Sequence, residues 1–149
     1  MANEIVLENQ KQGNPESEWG LADGANSNIE GFTADLSVDQ GGTVQFKIDT
    51  DSNNYRIEIY RLGYYDGDGA RKVATIQHSG AINQPNPIVK LSTATADAGN
   101  WSVTDTWAVP ADAVSGVYIA KLVRQDGTEG ENHIPFIVRD DDGLSLIHI

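Results

Sequence analysis

The sequence predicts an all-β protein, an immunoglobulin-like antiparallel β-sandwich, on three observations. Apolar residues alternate with polar ones at a period of two in several runs. No window of about eleven or more residues shows a helical period. Turns rich in Gly, Asn and Asp recur between the runs.

In chain order, residues 5–7 and 29–33 are short strand candidates. The run 43–50 is one of the clearest, with Val44, Phe46 and Ile48 on one face, and 55–62 repeats the pattern with Tyr55, Ile57 and Ile59. Weaker candidates follow at 72–77, 87–91 and 102–107. In 117–124 the alternation puts Val117, Ile119 and Val123 on one face, and 133–138 closes the set. Pro135 cannot donate to a ladder, so this last strand is expected at an edge or a bulge. Turn chemistry separates the runs at Gln40-Gly41-Gly42, Asp51-Ser52-Asn53-Asn54, Asp66-Gly67-Asp68-Gly69, Ala98-Gly99-Asn100 and Asp126-Gly127. From Trp107 to Tyr118 the chain reads as a strand, a turn and a new strand. Trp107 is expected in the core, and the Tyr118 hydroxyl is expected to anchor a corner.

A length of 149 residues suits one domain, and three Trp, five Tyr and three Phe can fill a core. The formal net charge of −12, with Lys and Arg scattered, leaves no basic stripe, so nucleic acid and anionic membranes are poor partners. With no Cys there is neither disulfide nor thiolate chemistry. Met1 is followed by Ala2-Asn3-Glu4 rather than by a basic and then apolar run, and no apolar stretch approaches about 18 residues. The chain as written therefore reads as soluble, without a signal peptide. After the acidic run Asp140-Asp141-Asp142-Gly143 comes Leu144-Ser145-Leu146-Ile147-His148-Ile149, which resembles the translated end of a common transposase sequencing adapter, the rival reading being a genuine short β-strand. Residues 1–143 are thus expected to form one sandwich domain, a fragment of a longer protein, with 144–149 a non-native tail.

The densest chemistry lies between Tyr60 and Arg71. There Tyr60, Arg61, Tyr64, Tyr65, Asp66, Asp68 and Arg71 crowd a Gly-rich loop leaving a strong strand. Aromatic faces and Arg forks dominate interfaces, so these seven are candidate interface or ligand contacts. The competing expectation is a self-satisfied loop in which Arg61 and Arg71 pair with Asp66, Asp68 or backbone carbonyls. A stacking platform of Tyr64, Tyr65 and Trp101 would suit a carbohydrate or a surface partner, as a free-standing binding module. Asp49-Thr50-Asp51-Ser52-Asn53 begins like a calcium loop, but Asn54 and Tyr60 stand where Gly and the bidentate Glu are required. His78 and His133 lack a partner at metal-binding spacing, and no nucleophile elbow, zinc helix or phosphate loop occurs. No catalytic, metal or cofactor-binding residue is assigned, and the chain is not expected to be an enzyme by itself.

Several segments together resemble a known family. They are Glu8-Asn9-Gln10, Ile29-Glu30-Gly31-Phe32, Tyr60-Arg61-Leu62-Gly63-Tyr64-Tyr65 through Gly69-Ala70-Arg71, Trp107 to Pro110, Ser115-Gly116-Val117-Tyr118, and Ile134-Pro135-Phe136-Ile137-Val138-Arg139-Asp140. The combination resembles the N-terminal β-sandwich region of proteins similar to the N,N-dimethylformamidase large (β) subunit. The resemblance implies an accessory sandwich whose partner is a downstream α/β catalytic domain of the same polypeptide, in an amidohydrolase acting on C–N bonds. In characterised members that other domain holds an iron through tyrosines and a glutamate. None of those ligands is carried over here, and the Tyr60, Tyr64 and Tyr65 cluster belongs to the sandwich motif.

Overall fold

A computed structural model of the chain describes residues 4–21, 24, 28–80 and 102–140, together with the backbone of two short strands at 88–90 and 95–97. The expected tail 144–149, the turn at 98–100 and Trp101 lie outside the described residues. The elements are α1 (Glu4–Asn9), α2 (Glu16–Trp19), β1 (Ile29–Thr33), β2 (Ser37–Asp39), β3 (Thr43–Thr50), β4 (Asn54–Leu62), β5 (Ala70–Ser79), β6 (Ile88–Lys90), β7 (Thr95–Asp97), β8 (Asp105–Ala108), β9 (Gly116–Arg124) and β10 (Glu131–Arg139). A 3-10 turn, Tyr65–Gly67, links β4 to β5.

The protein is an all-β sandwich. One sheet runs β1-β3-β8 and the other β2-β10-β9-β4-β5, while β6 and β7 pair with each other. All neighbours are antiparallel except β2 and β10, which run parallel over Ser37 to Asp39. The period-two patterns that predict strands also decide what is buried. Val44, Phe46 and Ile48 of β3 meet Tyr55, Ile57 and Ile59 of β4 in one core with Ile29, Trp107, Leu122, Ile134 and Phe136. Phe136 sits amid the aromatics, 5.7 Å from the Tyr118 ring and 6.1 Å from both Phe46 and Trp107. Each such fully buried side chain contributes roughly 1.5–3 kcal/mol through water removed from apolar surface. The Tyr118 hydroxyl donates to Val114 O at 2.5 Å, the corner anchor expected of it.

Two expectations are corrected. Residues 5–7 belong to the helix α1 rather than to a strand. There the segment carries Glu8 inward, where it gains partners that an exposed strand would not offer. In β9 the inter-sheet face is Tyr118, Ala120 and Leu122, while Val117 is exposed and Ile119 lies on the opposite face. Both faces of this strand carry apolar residues because the outer one is partly covered as well, and alternation alone cannot choose its phase. Two short strands, β2 and β7, and the helix α2 gave no sequence signal. Pro135 lies in β10, where β2 reaches only Ile137 to Arg139, so among the described residues no strand pairs on its outer side.

The cover on the outer face of the five-stranded sheet is the segment 14–21. The Asn14 amide donates to Ala70 O, its side chain accepts from the Lys72 amide, and Trp19, like Leu62, packs against the cluster of Tyr60, Ala70 and Ile119. Across the core, Asp105 of β8 is bonded to two groups of the other sheet. It accepts from the Tyr55 hydroxyl at 2.5 Å and from His78 Nδ1 at 2.7 Å, with the Tyr55 and His78 rings stacked 4.5 Å apart. No helix among the described residues is long and apolar enough to cross a membrane.

Candidate functional site

The loop between β4 and β5 carries the seven candidate residues. β4 brings Tyr60 and Arg61 to the rim of the sheet, and the chain turns back through Gly63, Tyr64 and the 3-10 turn before β5 begins at Ala70. The turn requires an unusual backbone. Tyr65 and Asp66 are consecutive non-glycine residues with left-handed φ of 40° and 55°. Such residues cost on the order of 1–3 kcal/mol each, so the surroundings must hold them in place. Gly63 is required by close approach, since a Cβ there would stand 2.4 Å from Asn9 Oδ1.

What holds the loop is a network centred on Glu8 of α1. Its carboxylate accepts from Arg71 Nε at 2.6 Å and Nη2 at 3.2 Å, and from the Tyr65 hydroxyl at 2.7 Å, with Lys11 Nζ 3.0 Å away. The Tyr65 hydroxyl in turn accepts from Arg61 Nη1 at 3.1 Å. Arg61 directs its Nε and Nη2 at Ser115 O, at 3.2 and 2.9 Å, which ties the loop to the start of β9. Asn9 Oδ1 accepts from the Tyr64 amide, and Trp19 Nε1 donates to Asp68 O. Burial pushes the Glu8 carboxyl up, but the hydrogen bonds from Arg71, Tyr65 and Lys11 outweigh it and hold the group at about 2. Burial, reinforced by Glu8, pushes the Tyr65 phenol up to about 12.

The structure therefore divides the candidates. Tyr60, Arg61 and Tyr65 are buried, Arg71 is a partly exposed structural cation, and Tyr64, at 67% exposure, faces outward with Asp66. Arg61 does bond to carbonyls, as the self-satisfied alternative expects. Arg71, however, takes neither Asp66 nor Asp68 but Glu8, 63 residues away in sequence. Asp66 lies within the 3-10 turn and Asp68 at its C-terminal end, the first exposed and the second half-buried. With Tyr65 buried, the pair of open faces needed for a stacking platform is not formed by Tyr64 and Tyr65. The sequence missed Glu8 as a partner although Glu8-Asn9 stands among the resembling segments. The available signal was two Arg in a loop whose own acids belong to turns.

The site's chemistry is that of a pinned loop. Beside it a cleft of about 200 Å³ is bounded by Glu8, Lys11, Arg71, Trp107, Asp112 and Tyr118. Tyr60 donates to Glu58 Oε1 at 2.6 Å, and burial together with Glu58 raises its phenol well above the ordinary value. Neither Tyr60 nor Tyr65 thus offers a phenolate at neutral pH, and no group of three or more His, Asp or Glu among the described residues could hold a metal. Because Arg71 grips both Glu8 oxygens, Arg71→Lys should destabilise the domain by about 1 kcal/mol in urea unfolding despite keeping its charge. An unchanged midpoint would show the fork to be dispensable.

Comparison with known proteins gives three findings. A family model described as N,N-dimethylformamidase beta subunit-like, C-terminal, matches residues 56–148, from within β4 onward. The sequence resemblance was drawn to the N-terminal sandwich of such proteins, whereas the matching model is the one described as C-terminal. No curated protein matches. Among solved structures, a 1.4 Å crystal structure of an uncharacterized protein from Bacillus anthracis str. Ames is similar, with 18% identity over 86% of this chain and 93% of that one, and a TM-score of 0.44.

Proposed function

Since the chain belongs to the N,N-dimethylformamidase beta subunit-like family, we propose that it is a non-catalytic accessory sandwich. In this reading it packs against the catalytic domain of an amidohydrolase acting on C–N bonds. The observation that carries the proposal is the build of the 63–69 loop. Its buried side chain, Tyr65, is committed to Glu8 and Arg61, while Tyr64 stands 67% exposed beside a backbone that cannot easily relax. A rigid exposed aromatic loses little entropy on docking, which is how interface anchors work. The adjoining helix α1 adds exposed Val6 and Leu7, at 44% and 52%, a surface more apolar than solvent alone favours.

The test is a calorimetric titration of this chain with a separately expressed catalytic unit of the family. Tyr64→Ala should weaken association about tenfold or more while shifting folding stability by less than about 0.5 kcal/mol. Unchanged association would remove the loop from the interface. Hydrolysis of N,N-dimethylformamide by this chain alone would overturn the accessory role.

A further inference from the structure

The five-stranded sheet ends at β5, and among the described residues no strand pairs on the far side of it. The register shows which backbone groups stand there. The Gly80 amide donates to Asn53 O, so the antiparallel pairing turns the amides and carbonyls of Ala74, Ile76 and His78 toward β4 and those of Thr75, Gln77 and Ser79 away from it. These last three residues form an open rim.

At the start of β5 the chain closes its own rim. The Asn14 amide donates to Ala70 O, and the Asn14 side chain accepts from the Lys72 amide. A bulge follows, since Ile59 faces Ala74 and Tyr60 faces Lys72, which leaves Val73 as the extra residue. Beyond it none of the devices that blunt an exposed edge is present. Residues 74–79 hold no Pro, Lys, Arg, Asp or Glu. The His78 ring is turned inward, stacked on Tyr55 and bonded to Asp105. Thr75, Gln77 and Ser79 are exposed, and the Gln77 amide lies back on its own sheet, donating to Asn54 Oδ1 and Tyr55 O.

We propose that this rim is a self-association site, at which a second copy of the chain adds its β5 antiparallel to the first about a two-fold axis at Gln77. The row is self-complementary in that register. Thr75 faces Ser79 of the second copy, Gln77 faces Gln77, and Ser79 faces Thr75, each pair exchanging two backbone hydrogen bonds, about six in all. Thr opposite Ser adds hydroxyl contacts on the outer face. A register centred on Thr75 would instead set Gln77 against the bulged Val73 and Ser79 against Arg71, where Asn14 already covers the rim. Charge agrees with the choice of partner: the chain carries −12, yet the row that meets itself carries no acid, so the contact brings no like charges face to face.

Sedimentation of the full chain at rising concentration, with hydrogen exchange by NMR at both ends of the range, tests the site. A short edge contact binds weakly, so dimer should accumulate by about 1 mM. Amides of Thr75, Gln77 and Ser79 should then gain roughly threefold or more protection, while those of Ala74, Ile76 and His78, already bonded to β4, change little. Thr75→Lys with Ser79→Lys sets ammonium groups opposite each other and should abolish the dimer. Thr75→Lys with Ser79→Glu sets Lys against Glu across the axis and should restore it. A chain still monomeric at about 1 mM, or a dimer whose protection lies outside residues 75–79, would overturn the proposal. So would a double-Lys variant that dimerises like the native chain, or a Lys/Glu variant no better than the double-Lys one.

Discussion

Glu8→Ala should cost about 3 kcal/mol of folding stability, the range seen when one partner of a buried ion pair is removed. Glu8 is 1% exposed and gathers Arg71, Tyr65 and Lys11. Without it the Tyr65 hydroxyl loses its acceptor, Arg71 loses both prongs, and the left-handed Tyr65-Asp66 pair loses the contact that holds it. The same interaction gives a pH signature. A carboxyl lowered from 4.5 to about 2 contributes stability that is fully present above pH 4.5 and is lost as pH falls toward 2. The gap between the native chain and Glu8→Ala, measured by urea unfolding, should accordingly narrow from pH 7 to pH 3. A gap that stays constant with pH would show that the loss comes from packing rather than from the charge.

Asp105→Ala should cost a similar amount, about 3 kcal/mol, for a different reason. Tyr55 is fully buried, and burial together with Asp105 raises its phenol far above its ordinary value. Deleting the carboxylate takes away that hydroxyl's acceptor and leaves it only Thr104 as a side-chain partner, a penalty of about 1–3 kcal/mol, and also removes the acceptor of His78 Nδ1. In a chain without Cys this group is a polar bridge between the two sheets. Asp105→Asn retains one acceptor oxygen and should lose about half as much in thermal or urea unfolding. If Asp105→Ala lost less than about 1 kcal/mol, the bridge would be incidental to stability.

What could be read in advance followed the reach of each interaction along the chain. The strands β1, β3, β4 and β9 fall within a residue of their predicted positions, because alternation is a local property that burial of one face enforces. The Arg61 contact with a carbonyl could be anticipated as a kind of bond, though its acceptor, Ser115 O, lies 54 residues on. Glu8 and His133 were visible only as residue types. Their partners are brought to them by the segment 14–21 and the rim, and a single acid near the N-terminus looks solvated until its fold is known.

By itself the sequence determined the class of the protein, the core faces of β3 and β4 and the family it resembles, since each rests on patterns carried by neighbouring positions. Tertiary structure alone decided that β9 turns Tyr118 rather than Val117 to the core, that Arg71 answers to Glu8, and that Tyr64 faces outward while Tyr65 is buried. Those outcomes depend on which of two apolar faces is covered and on which charge completes a distant fork. Only the packed chain sets them, because burial and pairing energies arise between segments that sequence order leaves apart.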